Sequence, residues 1–293
     1  MDRISKRNII PFAYIFPVFA IIIFVYFYPI FETFRNSLFK ITSVDKSFAG
    51  LDNYYFLFIK DSIFRTSILN NLKLLLGVPI LTFLALLVAS LLFQQIYGWK
   101  LFRIIILIPY ILSITVIGMI FSYILRLNGL LNTILDFLRL NFVALDWIGS
   151  PKFALYSVLA VVVWKEIGFG IILFLGRMLS IDTSIYDAAK VDGASWFKTF
   201  FLVTIPELRN VIFFYISISI INMLSWMFNY IFVMTKGGPV HSTYILEYYI
   251  YQMGIRYRQM GLASTAAIVL LAIAMIFIVI QYLARKRIMI GEE

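Results

Sequence analysis

The stretch 186-YDAAKVDGASWFKTFFLVTIP-206 decides how the rest of the chain is interpreted. It is a polar, charged island between two long apolar segments, and its pattern is too regular for a plain loop. The order of its residues predicts a helix over Ile185–Val191, a turn at Gly193 and a second short helix capped by Ser195. A new apolar segment is then expected to begin at Pro206, a position where a helix tolerates proline.

The composition of the whole chain is that of a membrane protein. Hydrophobic residues make up 62% of the sequence and charged residues 14%, whereas a soluble domain has roughly 45–50% apolar and about 25% charged residues. The absence of cysteine excludes disulfides, thiol catalysis and cysteine metal sites, and the single histidine, His241, leaves almost no scope for a histidine metal site. The net charge of +10 comes from residues that lie mainly between apolar runs. This placement favours topology signals and contacts to anionic lipid over nucleic acid binding.

Six stretches are long enough to cross a hydrocarbon core of about 30 Å, which takes roughly 20 apolar residues as a helix. They lie at about 9–31, 74–93, 104–125, 153–176, 211–235 and 261–284. The sequence therefore predicts an all-α polytopic membrane protein with one transmembrane domain over residues 1–293. No loop is long enough for a soluble domain, and no G-x-x-x-x-G-K-[ST] phosphate loop occurs. We expect the first span to be retained, because its apolar run exceeds that of a cleaved signal, about 7–15 residues.

The basic residues predict the orientation of the chain. An even number of spans puts both termini on one side, and both short ends are basic, with Arg3, Lys6 and Arg7 at one and 285-RKR-287 at the other. Since positive residues are retained on the cytoplasmic side, both termini are expected there. The total of lysine and arginine divides equally between the two sides, so the short flanks decide. The opening stretch then faces the cytoplasm, and residues 236–260 lie outside.

The opening stretch resembles the EAA motif of ABC-importer permeases, which runs E-A-A-x-x-D-G-A, then a hydrophobic residue, then L-P. The residues that match at the right spacing are Ala188, Ala189, Asp192, Gly193, Ala194 and Pro206. Asp187 stands where the family usually has glutamate, which keeps the charge but shortens its reach by one methylene.

Weaker elements of the same family follow in order along nearly the whole chain: Phe48–Tyr54, Asn70-Asn71, Pro109-Tyr110, Gly129–Asn132 and Gly237-Gly238-Pro239. As an ordered set they resemble the carbohydrate-importer branch, of maltose and glycerol-phosphate type. The resemblance implies the type I ABC-importer permease fold, with six transmembrane helices in the cytoplasmic membrane of a prokaryote.

The resemblance also implies a mechanism and a set of partners. The cytoplasmic segment 185–206, with Asp187 and the matching motif residues, would dock on an ATPase subunit as a coupling segment. The expected partners are a second permease subunit in a heterodimer, two ATPase subunits that use ATP and Mg, and an extracytoplasmic substrate-binding protein. The chain itself would bind no cofactor or metal and would have no catalytic residue, and sugar would cross by alternating access.

Two charged residues interrupt the fourth span. Ionisable groups at that depth are costly and usually face a polar cavity or a partner, so Lys165 and Glu166 are candidates either for substrate contact or for a structural pair between helices. As neighbours in a helix they point about 100° apart and need not pair with each other.

The fifth span carries a second set of candidate substrate contacts. Asn222, Trp226 and Asn229 fall at i, i+4 and i+7, which predicts one helical stripe, and Tyr230 follows. Amide groups and an indole face suit a sugar, and the resemblance favours this reading over polar contacts between spans. Beyond the span, Gly237, Gly238 and Pro239 indicate a tight turn, which the resemblance places in the outer loop facing the binding protein.

The alternative is an ion-coupled secondary sugar carrier. Such a carrier is expected to have internal repeats and intramembrane acids for its cation, and Glu166 is the one acid that offers itself. A membrane enzyme is disfavoured because no cluster of nucleophile, base and metal ligands occurs.

Overall fold

The computed structural model describes residues 14–42, 45–95 and 97–290, with side chains as far as residue 287. In chain order the elements are α1 (Tyr14–Ser37), β1 (Phe39–Ile41), β2 (Lys46–Phe48), α2 (Asp52–Tyr55), α3 (Ser62–Leu75), α4 (Gly77–Phe93), α5 (Trp99–Ile111), α6 (Ile114–Ile124), α7 (Leu130–Phe137), α8 (Ala154–Met178), α9 (Thr183–Val191), α10 (Trp196–Thr199), α11 (Ile205–Met223), α12 (Met227–Met234), α13 (Leu246–Tyr251) and α14 (Met260–Ile290). Single π-helical turns lie at Ile23–Phe27, Phe56–Lys60, Phe200–Thr204 and Gln252–Arg256, and a 3-10 turn lies at Asn141–Val143.

Among the described residues, five helices are long and apolar enough to cross a membrane: Tyr14–Ser37, Ser62–Phe93, Ala154–Met178, Trp196–Met223 and Met260–Arg287. A sixth span is possible if the pair α5 and α6, bent by 99°, crosses as one. The predicted helical membrane fold is confirmed. Residues 9–13 of the first predicted span and the basic residues before them lie outside the described part of the chain.

The second and third spans differ from the prediction. The second helix begins at Ser62, so residues 62–73, expected in an outer segment, are helical and continuous with the span. The third is broken rather than straight over 104–125, because Leu112 and Ser113 are extended, with ψ of 148° and 136°.

The fifth span was also predicted wrongly at both ends. Instead of a short helix followed by a new span at Pro206, one helix runs through Trp196–Met223. A π-turn makes this continuity possible: the Ile205 N–H donates to the Phe200 carbonyl just ahead of Pro206, which has no N–H to donate. The span was predicted to continue to residue 235, but this helix ends at Met223. A turn over residues 224–226 follows, and residues 227–234 form the separate helix α12.

The described residues group into two compact units, and the single-domain prediction stays a prediction. The first comprises residues up to Phe64 together with Tyr249–Leu271. It contains a hairpin that the sequence did not predict, in which β1 and β2 pair antiparallel. Buried Asn53 closes this unit, since its Nδ2 donates to the Ser37 and Phe39 carbonyls at 2.8 and 2.9 Å. The Phe48–Tyr54 element of the sequence therefore has a structural role, because its Asn53 ties the end of α1 to β1.

The second unit comprises Arg65–Tyr248 together with the residues from Ala272 onward. Its core lies between α4, α8 and α11, with buried Ala85, Phe174 and Tyr215 among its members. Small residues bring the helices close, as expected inside a membrane: an added Cβ at Gly170 would lie 2.6 Å from Tyr215 Cζ and 2.7 Å from Ala85 Cβ.

Two asparagines in α3 fix a distant segment of the second unit. Asn70 Nδ2 donates to the Ser242 and Tyr244 carbonyls, both at 2.8 Å. Asn71 Oδ1 accepts from the Leu246 N–H at 2.7 Å, and its Nδ2 donates to the Glu247 carboxylate at 3.0 and 3.2 Å. These buried amides satisfy backbone groups that no regular element pairs.

Candidate transport cavity and coupling segment

A cavity of about 340 Å³ lies among the helices of the second unit. Its walls combine aromatic, aliphatic, amide, hydroxyl and charged side chains, namely Leu81, Tyr110, Ile114, Val162, Lys165, Glu166, Phe169, Tyr215, Ser219, Asn222, Met223, Trp226, Met227 and Tyr230. The volume and the mixture of apolar walls with a few polar groups are those of a small-molecule site.

The two charged residues of α8 form an ion pair on the cavity wall. Lys165 Nζ lies 3.2 Å from Glu166 Oε1 and donates to the Tyr110 carbonyl at 3.3 Å. The side chains are 5% and 20% exposed. Tyr230 fixes the carboxylate from α12, donating its hydroxyl to Oε1 at 2.8 Å. Although neighbouring side chains diverge along a helix, these two charges meet, and a residue 64 positions later in the chain holds the carboxylate.

The predicted stripe on the fifth span is wrong as a single helical face. The turn over residues 224–226 separates Asn222, at the end of α11, from Tyr230 in α12, and Trp226 lies in the turn itself. Asn222, Trp226 and Tyr230 still meet at the cavity, but Asn229 is not among its lining residues. The helical spacing failed here because the helix breaks at residues that include no proline or glycine, so nothing in the sequence indicates the break.

Sequence reasoning missed an aromatic wall of the cavity. Tyr110 stacks on Phe169 with ring centroids 5.8 Å apart, and Phe169 lies 5.9 Å from Tyr215. Tyr215 is almost fully buried behind this wall, with 1% of its surface exposed. Tyr110 belongs to the Pro109-Tyr110 element of the family. Phe169 and Tyr215 lie in aromatic-rich apolar runs, where nothing in the sequence distinguishes a cavity residue from a packing residue.

The segment 183–206 between two spans is built by local capping. Helix α9 begins at Thr183, two residues earlier than expected, because Asp182 Oδ1 accepts from the Ser184 N–H at 2.9 Å. This hydrogen bond holds the pKa of Asp182 below its usual value. At the other end Gly193 has φ of 70°, and the Ala194 N–H donates to the Ala189 carbonyl at 2.9 Å. The predicted turn at Gly193 is confirmed, and Ser195 caps α10 as expected, accepting from the Lys198 N–H at 3.4 Å.

Helix α9 has one packed face and one exposed face. Tyr186 and Ala189 are buried, and the Tyr186 ring lies 5.1 Å from that of Phe93 at the end of α4. Asp187 pairs with Lys190 at 3.1 Å, with side chains 64% and 76% exposed. The other motif residues divide between the faces: Ala188, Asp192, Gly193 and Pro206 are exposed, and Ala194 is half-buried.

The glycine-proline turn lies where the sequence predicts a tight turn. Gly237 has φ of 80° and is buried, and an added Cβ there would lie 2.5 Å from the Tyr244 ring. The Gly238 N–H donates to the Thr235 carbonyl at 2.9 Å, and Gly238 and Pro239 are half-buried. Exposed Val240 and His241 are therefore the residues that the turn presents outward.

No group of three or more His, Asp or Glu side chains that could hold a metal ion occurs within residues 14–42, 45–95 and 97–290. What the described residues present is a mixed cavity inside the helices and a capped, half-exposed helix in the loop between two spans.

Comparison with known proteins identifies relatives with the same architecture. The chain is 30% identical to a probable ABC transporter permease of Bacillus subtilis, over 95% of this chain and 96% of that protein. It is 29% identical to the lactose transport system permease of Rhizobium radiobacter, over 94% and 93% of the two chains. Its fold matches a bacterial ABC transporter that imports the acidic polysaccharide alginate, with a TM-score of 0.79 and 22% identity over 97% of each chain. Residues 82–290 match the family described as binding-protein-dependent transport system inner membrane component. The chain belongs to that family of membrane permeases.

Proposed function

We propose that this chain is the transmembrane permease subunit of an ATP-driven, binding-protein-dependent carbohydrate importer that works by alternating access. The observation that carries the proposal is the pairing, within one compact unit, of a sugar-type cavity with an exposed coupling helix. The proposed location is the cytoplasmic membrane of a prokaryote, with both termini in the cytoplasm.

The cavity suits a carbohydrate because its walls offer both hydrogen-bonding groups and an aromatic face. Asn222 and Ser219 offer hydrogen bonds to hydroxyl groups, and the Trp226 indole offers a flat face to the apolar side of a sugar ring. Relatives are named for the transport of lactose and of arabinooligosaccharides. Of the six predicted contacts, Lys165, Glu166, Asn222, Trp226 and Tyr230 are retained in the proposal, and Asn229 is not.

The coupling segment suits a rigid-body connection to an ATPase. Helix α9 is fixed to its own unit through buried Tyr186 and Ala189, so a force on the exposed Asp187 face would be transmitted to α4 through the contact between Tyr186 and Phe93. We assign ATP and Mg to two separate ATPase subunits.

Two further partners complete the proposed assembly. A second permease subunit would pair with this chain in a heterodimer. An extracytoplasmic binding protein would face the turn at Gly237–Pro239, and the alginate importer has been solved with an alginate-bound periplasmic protein.

The ion-coupled carrier is the second candidate. Glu166 would be its cation-binding acid, but its Oε1 accepts from Lys165 and from Tyr230. A carboxylate already neutralised by an ammonium group is a weak cation site, which favours the ATP-driven importer.

Uptake measurements separate the two. Cells expressing the full transporter should take up labelled sugar when an uncoupler collapses the ion gradient, and should fail to do so when ATP is depleted. ATPase subunits should co-purify with the chain. The opposite pattern, with uptake lost to the uncoupler and no ATPase bound, would replace the importer by the carrier.

Two substitutions test the coupling segment. Asp187→Lys and Gly193→Pro should lower transport-coupled ATPase activity without preventing membrane insertion. Gly193→Asn is the matched control, since asparagine tolerates the left-handed conformation that Gly193 adopts. Normal coupling in both test variants would exclude docking through this helix.

A further inference from the structure

The charge of the cavity carries an inference that rests on the proposed function and extends it to the class of sugar. Lys165 and Glu166 are the only lysine, arginine, aspartate or glutamate residues among the residues that line it. Their charges lie 3.2 Å apart, so the wall presents a neutralised pair and not a free cation.

The ammonium group of Lys165 already makes several contacts within the protein. The residue is 4% exposed, and its Nζ donates to Glu166 and to the Tyr110 carbonyl and lies 5.6 Å from the centroid of the Tyr110 ring. For Lys165 to bind an anionic ligand, it would have to exchange one of these contacts for the ligand.

The carboxylate of Glu166 is held in place independently of the lysine. Tyr230, itself 1% exposed, donates to Oε1 at 2.8 Å from another helix. Glu166 is also the more exposed member of the pair, at 20% against 5% for the lysine side chain. An anionic sugar in the cavity would therefore approach the held carboxylate before it could displace Lys165 from it, and like charges repel most strongly where little water screens them. A neutral sugar meets no such barrier.

The remaining polar groups suit hydroxyls. The side-chain amide of Asn222 and the hydroxyl of Ser219 line the cavity. Both groups can donate and accept hydrogen bonds, so they match the hydroxyl groups of a sugar without requiring a charge on it.

We infer that the cavity accepts neutral sugars and discriminates against sugar acids, and that Glu166 sets this selectivity by neutralising Lys165. Similarity alone leaves the charge of the substrate open, because one relative is named for lactose and the solved neighbour imports an acidic polysaccharide.

The test uses the assembled transporter in lipid nanodiscs without its binding protein, so that the selectivity of that protein does not contribute. Matched pairs are titrated by calorimetry: galactose with galacturonate, and glucose with glucuronate, in which the acid keeps the sugar ring. For wild type we expect the neutral member of the pairs that bind to be favoured by at least about tenfold.

The decisive variant is Glu166→Gln, which keeps the shape of the side chain and frees the charge of Lys165. It should shift the ratio toward the acid by about tenfold or more. The double variant Lys165→Met with Glu166→Gln removes both charges and should bind acids no better than wild type. Glu32→Gln is the control, because it converts a paired glutamate of the other unit and should leave the ratio unchanged.

A wild-type preference for the sugar acids would overturn the inference, and so would a ratio unchanged in Glu166→Gln. The wild-type measurement decides even if that variant does not fold. Failure of the proposed function would look different, because uptake would then follow an ion gradient whatever the ratio of affinities.

Discussion

The cavity and the coupling segment each contain one lysine–carboxylate pair of nearly equal length, and the two pairs differ in almost everything else. Lys165 and Glu166 lie 3.2 Å apart with side chains 5% and 20% exposed. Lys190 and Asp187 lie 3.1 Å apart with side chains 76% and 64% exposed. The comparison teaches that the distance between two charges says little about their energetic weight, whereas their burial decides it.

Physical chemistry gives the two pairs different consequences. An exposed pair gains little, about 0.2–1 kcal/mol, because water solvates both charges equally well when they are apart. Breaking a buried pair by removing one partner costs about 3–5 kcal/mol, because the remaining charge is left without water or counter-ion. The same change of residue type should therefore be severe in the cavity and mild on α9.

The largest expected effect is that of Lys165→Met. It leaves the Glu166 carboxylate with only the Tyr230 hydroxyl as partner, and we expect a loss of about 3 kcal/mol of stability. The loss should be visible as a lowered unfolding temperature of the chain in detergent.

Two further variants make that result specific. The double variant Lys165→Met with Glu166→Gln should recover most of the loss, since no unpaired charge remains. Lys190→Met on α9 should leave the unfolding temperature nearly unchanged. Equal losses for the buried and exposed lysines would break the comparison.

The second-largest effect is expected at Gly170, where α8 packs closely beside the cavity. Gly170→Ala places a Cβ 2.6 Å from Tyr215 Cζ and 2.7 Å from Ala85 Cβ, so α8 must move away from α4 and α11. We expect a loss of about 2 kcal/mol and weaker sugar binding, measured by unfolding and by titration. Gly176→Ala in the same helix is the control, because nothing lies within 4 Å of its added Cβ. Equal effects at the two glycines would show that the cavity wall is not tightly packed.

The same contrast explains what the sequence could predict. The coupling segment is determined by neighbours, with a cap at Ser195 and a left-handed Gly193 each acting within a few residues, so its helix and turn were predictable. The structure differs from the prediction only locally: Asp182 caps the helix two residues before its expected start, and a π-turn that no residue pattern indicates lies before Pro206.

The cavity depends on contacts between residues far apart in the chain. The cost of placing Lys165 and Glu166 inside a span was evident from their positions, but the hydroxyl of Tyr230, 64 residues later, was not. The breaks at Leu112-Ser113 and at residues 224–226 decide which side chains reach the cavity, and neither break contains a proline or glycine. Asn229 was predicted as a sugar contact from a helical stripe that the second break interrupts, and it is not among the residues that line the cavity.

A third carboxylate, that of Glu247 outside the spans, tests at intermediate burial whether burial decides the energetic weight of a charge. Burial raises the pKa of Glu247 to about 7 from its ordinary 4.5, although Asn71 donates to its carboxylate. The folded chain then binds this proton more tightly than the unfolded chain, so the stabilisation is complete below pH 4.5 and is lost as the pH rises through 7.

The expected result is a stability lower at pH 8 than at pH 5. Since the side chain is half-buried, solvent screening reduces the difference to about 1 kcal/mol. Unfolding curves across this pH range measure it, and Glu247→Gln should flatten the dependence on pH. A slope that persists unchanged in that variant would assign the effect to other groups.

The smallest effect is expected for Asp187→Glu, which restores the acid usual in the family. The side chain is 64% exposed, so the added methylene enters water and the pairing with Lys190 changes by less than about 0.5 kcal/mol. Stability should not change, and transport-coupled ATPase activity should change by no more than about twofold. Asp187→Asn is the control, since it keeps the size and removes the charge. If Asp187→Glu altered the unfolding temperature as strongly as Lys165→Met, the exposed face of α9 would have to be covered within the chain itself, and burial would no longer distinguish the two pairs.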